Sequence, residues 1–204
     1  MSALASPILP DLGVPPPAVG DLVRLTVEQY DAMIEHGVLG DADQVELLAG
    51  WLVANMAKTL RHTLTIDQVR ETLGLAAPSG WFALVEGPLH TSHSVPEPDV
   101  MLVRGTRKDY AARSRIVAGD VGLVVEVADS SLARDMGLKR EIYAKAGVPC
   151  LWVANLVRDR LEVFSQPRSG DYSVHQSLGP ANSVDLVLDG AVAAKVNVAD
   201  LLPQ

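Results

Sequence analysis

The sequence predicts an α/β (α+β) domain: a mixed β-sheet flanked by helices. Three observations point there. Residues 122–128 (GLVVEVA) form the most apolar run of the chain, too short for a helix and suited to a strand covered on both faces. Shorter strand-like runs stand at 81–85, 100–103, 151–154 and 161–165. Helical periodicity fills about 60–73 and 133–146, so strands and helices interleave. At 204 residues, 48% of them hydrophobic, the chain can bury a substantial core and is not a disordered protein.

The elements follow in order. Residues 1–20 hold five prolines and no regular period, and are expected to form a flexible arm ahead of one domain over 21–204. Thr26 and Gln29 fit a capping box that opens a helix carrying Tyr30, Met33 and Ile34 inward and ending at Gly37. Residues 44–56 read as a β-hairpin turning at Ala49-Gly50. The helix at 60–73 places Leu60, Ile66, Val69 and Leu73 near one face, and a loop rich in Ser, Pro and His joins the next two strands. Ser130 or Ser131 is expected to cap the helix that Gly147 and Pro149 stop. An Arg158-Asp159 turn separates the following strands, and 171–204 adds edge strands and a short final turn. Trp51, Trp81 and Trp152 read as core residues, and His90 and His93 as solvated loop histidines.

Composition excludes several classes. A formal net charge of −8 argues against a general nucleic-acid coat protein, though not against one basic cleft. A single cysteine, Cys150, excludes an internal disulfide and a cysteine zinc cluster, and its place at a strand start suits a small buried hydrophobe. No apolar run reaches the ~18 residues of a membrane span, and the N-terminus lacks a signal-peptide pattern, so a cytoplasmic location is expected.

The chemistry concentrates in 96–145. Glu126 sits inside the apolar strand, where an unpaired carboxylate costs several kcal/mol, so it needs a partner, a metal or a proton. Lys139 falls in the apolar stripe Met136, Lys139, Tyr143 and Ala146 of the next helix. Its ammonium either snorkels out to Asp135, one turn earlier, or points at Glu126. Asp99 follows Pro98 at the mouth of the strand at 100–103. Glu46 is a third acid in an apolar alternation, which leaves either face open to it. Two carboxylates and an ammonium around one point can build a metal-assisted phosphodiester-cleaving site.

Taken together, VELLAGWLVANM, Arg61-His62, VPEPDVMLVRG and the stretch LVVEVADSSLARDMGLKREIYAKAGVPCLWVANLVRDRLEVF resemble the Uma-type family of restriction-endonuclease-like proteins. That family, once a domain of unknown function, belongs to the PD-(D/E)XK nuclease superfamily. The resemblance covers about 24–202 and implies a restriction-endonuclease-like sheet with an added N-terminal hairpin and C-terminal strands. It implies that Asp99 and Glu126 are metal ligands, joined by the backbone carbonyl of Val127. Glu46 matches the N-terminal acid, Lys139 the helix-borne lysine, and Asp135, Tyr143 and His62 supporting positions. The parent motif places lysine two residues after the second acid, where this chain has Ala128.

The implied activity is metal-dependent endonucleolytic hydrolysis of DNA. Mg²⁺ or Mn²⁺ is the expected cofactor, and Lys139 is expected to orient or deprotonate the attacking water. Arg104, Arg107, Lys108, Arg113 and Arg115 form a basic stretch that DNA phosphates can meet, with a solvated loop as the alternative. Cutting both strands would take a homodimer. The competing reading is a catalytically silent nuclease-fold module that binds nucleic acid or assembles with itself, consistent with the acidic balance and the missing strand lysine.

Overall fold

The computed structural model describes residues 20–203 apart from Asp21, Asp41, Met56, Ala57 and Ser114. All of the expected proline-rich arm except Gly20 therefore lies outside the described residues. Helix α1 (Val27–Glu35) opens with the expected capping box: Thr26 Oγ1 accepts the Gln29 amide and Gln29 Oε1 accepts the Thr26 amide. Strands β1 (Val45–Leu48) and β2 (Trp51–Ala54) form the expected hairpin. Ala49 and Gly50 both take positive φ, as a two-residue turn of this hand requires. Helix α2 (Leu60–Ala76) is capped by Thr59, whose Oγ1 accepts the His62 amide.

Strands β3 (Trp81–Val85), β4 (Leu89–His90) and β5 (Val100–Arg104) follow. A short helix α3 (Arg107–Tyr110) and strand β6 (Ile116–Val117) lead into β7 (Val121–Ala128). The next helical segment is compound: α4 (Leu132–Arg134), a π-helical turn Asp135–Lys139, then α5 (Arg140–Ala146), which Gly147 ends at φ 82°. Strands β8 (Cys150–Asn155), β9 (Arg160–Arg168), β10 (Asp171–Leu178), β11 (Ser183–Leu188) and β12 (Ala191–Asn197) complete the chain.

The central sheet runs β10-β9-β8-β7-β5-β3. All neighbours are antiparallel except β7 and β8, whose parallel pairing needs the intervening helix as a crossover. Every residue of β7 is buried because both faces are covered. Leu123, Val125 and Val127 face the layer of α2 and the β11–β12 ribbon. Val124 and Ala128 face the layer of Tyr143 and Ala144 from α5. At Gly122 an added Cβ would fall 2.7 Å from the Trp81 ring, so the close approach of Trp81 excludes a side chain there.

Several inward assignments fail for local reasons. Leu60 is 75% exposed because it lies in the first turn of α2, which overhangs the end of the sheet, whereas Ile66, Val69 and Leu73 are buried as expected. Ile34 is 48% exposed and points away from the small core around Tyr30 and Leu47. Trp152 is a core residue, but Trp51 and Trp81 are only partly buried, under the guanidinium groups of Arg24 and Arg104. His90 is buried rather than solvated, its Nε2 3.2 Å from Asp31 Oδ1, while His93 is exposed. Ser131 occupies the N-cap position but makes no cap bond; its hydroxyl goes to Asp135 instead. Cys150 opens β8, partly buried against the core. No helix among the described residues is long and apolar enough to cross a membrane.

Candidate active site

Strand parity decides which side chains meet. Past the register shift at Gly122, the even-numbered residues of β7 face the 132–146 helical segment, so Glu126 shares that face with Val124 and Ala128. On β5 the same face carries Met101 and Val103, and Asp99 continues that alternation. The antiparallel register ends at Val100↔Val125, so one further step sets Asp99 abreast of Glu126. Asp99 Oδ2 is fixed there by accepting the Val127 amide at 2.8 Å.

Lys139 points inward, to Glu126. Its Nζ lies 3.2 Å from Glu126 Oε1 and 3.1 Å from Glu46 Oε2, and all three residues are buried. The β1 alternation thus resolves with Glu46 facing the site, where its Oε2 also accepts the Glu97 amide at 3.0 Å. Tyr143, one turn beyond Lys139, donates its hydroxyl to Glu126 Oε1 at 2.5 Å. Asp135 is buried on the same helical segment and accepts the Ser131 hydroxyl at 2.5 Å, so it is not the surface partner of a snorkelling lysine. The π turn explains the displaced stripe: its widened winding buries Asp135 and Lys139 together and leaves Met136 only partly covered.

From the other face of the sheet, the first turn of α2 reaches over the edge. His62 Nε2 stands 3.5 Å from Asp99 Oδ2, an ion-pair distance longer than a good hydrogen bond, and the imidazole also meets the Val127 carbonyl. His62 Nδ1 is buried with no partner among the described groups. Lys58 Nζ bonds Glu86 at 2.5 Å and approaches Asp99 Oδ1 at 3.7 Å. Lys58, Glu86, Glu97 and Ser131 are site residues that the sequence reading missed. Only Glu97-Pro98-Asp99, two acids around a proline, offered a signal for one of them.

These groups line a cleft of about 80 Å³, room for an ion with some water or for one phosphate group. It presents seven carboxylates (Glu46, Glu86, Glu97, Asp99, Glu126, Asp129 and Asp135) against His62 and three fixed cations, Lys58, Arg134 and Lys139. Burial pushes the Glu126 carboxyl well above the ordinary carboxylate range; Lys139 opposes this, while Asp135, Asp99 and Glu46 add to it. Burial also raises Asp135 and Glu97. Asp99 goes the other way: burial works against its charge, but His62, the Val127 amide and Lys139 outweigh it. For Lys139, burial is outweighed by Glu126, Glu46, Asp135 and Asp99, which hold the ammonium charged above its usual range. A lysine held charged in this way has no free lone pair with which to take a proton.

Burial opposes charging His62, and the facing Asp99 carboxylate overcomes it, raising the imidazole pKa. A raised folded-state pKa gives stability that is complete below the unfolded value, about 6.5, and is lost as pH rises through the folded value. In chelator, the stability gap between the native protein and His62→Gln is expected to be wide at low pH and to close towards alkaline pH. Urea unfolding at matched pH values measures it; a gap that widens with pH would contradict the pairing.

Oxygen donors and surplus negative charge fit a hard divalent cation. As placed, no group of three or more His, Cys, Asp or Glu side chains among the described residues gathers closely enough to hold one, and the Lys139 ammonium stands between Glu46 and Glu126. That still suits Mg²⁺, which takes one or two carboxylates and completes its shell with water and substrate phosphate.

The basic stretch lies elsewhere. Arg104 ends β5, five residues from Asp99 and so about 17 Å along the strand. Arg104 pairs with Asp189, Arg113 with Asp120 and Arg115 with Asp31, while Arg107 bonds the Ala83 carbonyl and Lys108 is exposed. Their charges are largely met within the fold, and the cations that line the cleft are Lys58, Arg134 and Lys139 instead.

Comparison with known proteins agrees with the fold. Residues 27–197 match the profile of a family, Uma2, described as "Putative restriction endonuclease". No protein of curated function matches. Among solved structures, the fold matches the crystal structure of a "putative nuclease belonging to DUF820 from Anabaena variabilis ATCC 29413", determined at 1.96 Å resolution. The TM-score is 0.67 at 13% identity, with 87% of this chain and 97% of that chain covered.

Proposed function

The chain belongs to the Uma2 family of restriction-endonuclease-like proteins, and on that premise we propose that it is a metal-dependent endonuclease hydrolysing DNA phosphodiester bonds. The observation that carries this reading is the convergence of Asp99, Glu126, Glu46 and Lys139 in one small, carboxylate-rich cleft. At about 80 Å³ the cleft itself has room for one phosphate group at a time.

In this reading Asp99 and Glu126, with the Val127 carbonyl, would hold Mg²⁺ or Mn²⁺. The cation would supply Lewis acidity towards the phosphoryl oxygen and make water a better nucleophile. The chain's own groups do the positioning. Tyr143 and Lys139 both bond Glu126 Oε1, which fixes the carboxylate. His62 and the Val127 amide fix Asp99 in the same way. Glu46 steers the Lys139 ammonium, which donates to the attacking water or to a non-bridging phosphate oxygen as negative charge grows there. Lys58 and Arg134 at the cleft wall bind neighbouring phosphates. Cleavage of both strands takes two such sites, so we also propose a homodimer, located with its DNA in the cytoplasm.

Supercoiled plasmid incubated with the purified protein tests this. Nicking is expected with Mg²⁺ or Mn²⁺, none with chelator, and none with Glu126→Ala or Lys139→Ala. Nicking that persists unchanged in both variants would sink the assignment. The second reading, a silent module whose acids and lysine form a structural ion cluster, is favoured by the ammonium standing between Glu46 and Glu126. It predicts folded protein that leaves plasmid intact under every metal condition.

A further inference from the structure

We propose that the groove beside the cleft receives an unpaired nucleobase attached to the phosphate under attack, making unpaired or flipped DNA the preferred substrate class. This rests on the nuclease reading above and adds a base subsite to it. The groove encloses about 590 Å³ between α1 and the β1–β2 hairpin, and shares Asn55, Lys58, Glu86 and Glu97 with the cleft. The two are therefore neighbours, with the Lys58–Glu86 ion pair at the side they share.

Its chemistry suits a base better than a sugar–phosphate backbone. Tyr30, Ile34 and Leu39 supply apolar lining, and Gln44 and Asn55 supply amide side chains, which carry both donors and acceptors. Lys58 is the only cation lining it among the described residues, whereas Glu86 and Glu97 are acidic. A backbone track needs several cations, and two carboxylates repel phosphate; a neutral, flat heterocycle meets neither obstacle. Ile34 adds a second observation. Its spacing on α1 assigns it to the core, yet the structure leaves it half exposed in this groove, outside the small core around Tyr30 and Leu47. The scissile phosphate lies on the outside of a duplex, so a base reaches a groove beside it only where that base is already unpaired or has been turned out of its stack.

Thymidine, an uncharged nucleoside, probes the groove without cleavage. Titrated into ¹⁵N-labelled protein in chelator, it is expected to shift the amides of Tyr30, Ile34, Leu39 and Gln44 saturably. Ile34→Glu, a change at an exposed position, is expected to weaken that binding by about tenfold, the scale of one lost base contact. Deoxyribose 5-phosphate is expected to leave those amides unmoved. Absence of saturable shifts, shifts unaffected by Ile34→Glu, or equal shifts with the sugar phosphate would each overturn the proposal. In the companion assay, an oligonucleotide with an unpaired bubble is expected to be cut about tenfold faster than its fully paired counterpart. Equal rates would also overturn it. Thymidine binding is read without catalysis, so a failed groove and a failed nuclease give different results.

Discussion

Glu126→Gln is expected to abolish metal-dependent plasmid nicking, with a fall of about 10³-fold or more, because Lewis-acid stabilisation is worth several kcal/mol and each ~1.4 kcal/mol is a decade. The substitution keeps the volume of the side chain and its position opposite Asp99 on β7, and removes only the charge. It leaves Tyr143 and Lys139 with a neutral acceptor at Oε1. Folding is expected to survive, since the amide keeps an oxygen acceptor for Tyr143 and Lys139, and the Lys139 ammonium keeps Glu46 as its charged partner. Circular dichroism and gel-based nicking on the same preparation check both halves. A folded variant with native nicking would remove Glu126 from the mechanism.

Lys139→Met is expected to give the largest loss of stability, about 3–5 kcal/mol, the usual cost of removing one partner from a buried ion pair. Two carboxylates, Glu46 and Glu126, would lose their shared cation in a site only a few per cent exposed. Methionine keeps most of the stem's packing, so the loss reports charge rather than a cavity. Adding Glu126→Gln to Lys139→Met is expected to recover part of the loss, since one stranded charge disappears. Urea unfolding of the single and double variants measures this coupling. Strictly additive losses would mean that the ammonium and Glu126 act independently, against the 3.2 Å geometry.

How far the sequence told this in advance depends on the kind of signal each residue leaves. Glu126 was legible because a charge inside an eight-residue buried strand has few outcomes other than a partnered site. Lys139 was legible for the same reason on a helix, and Asp135, one turn earlier, was placed beside it without deciding whether the pair faced solvent or the site. A π turn has no periodic signature of its own, and it moved the buried face by one position. Glu46 could not be resolved by alternation alone, because the answer depends on which face of the small β1–β2 hairpin meets the site. Lys58 left no trace: it stands between β2 and α2, itself outside any helix or strand, where neither periodicity applies. The basic stretch misled because a run of cations in sequence says nothing about the acids that folding brings to it, such as Asp189 and Asp31.

The central claim is that this cleft holds a working cation rather than a finished ion cluster. Calorimetric titration of Mn²⁺ into the native protein and into Glu126→Gln tests it most directly. The account predicts saturable binding in the native protein that is lost in the variant, with release on adding chelator. No binding to the native protein, or binding unchanged in Glu126→Gln, would contradict it and leave Lys139 as the cation that Glu46 and Glu126 are built to hold.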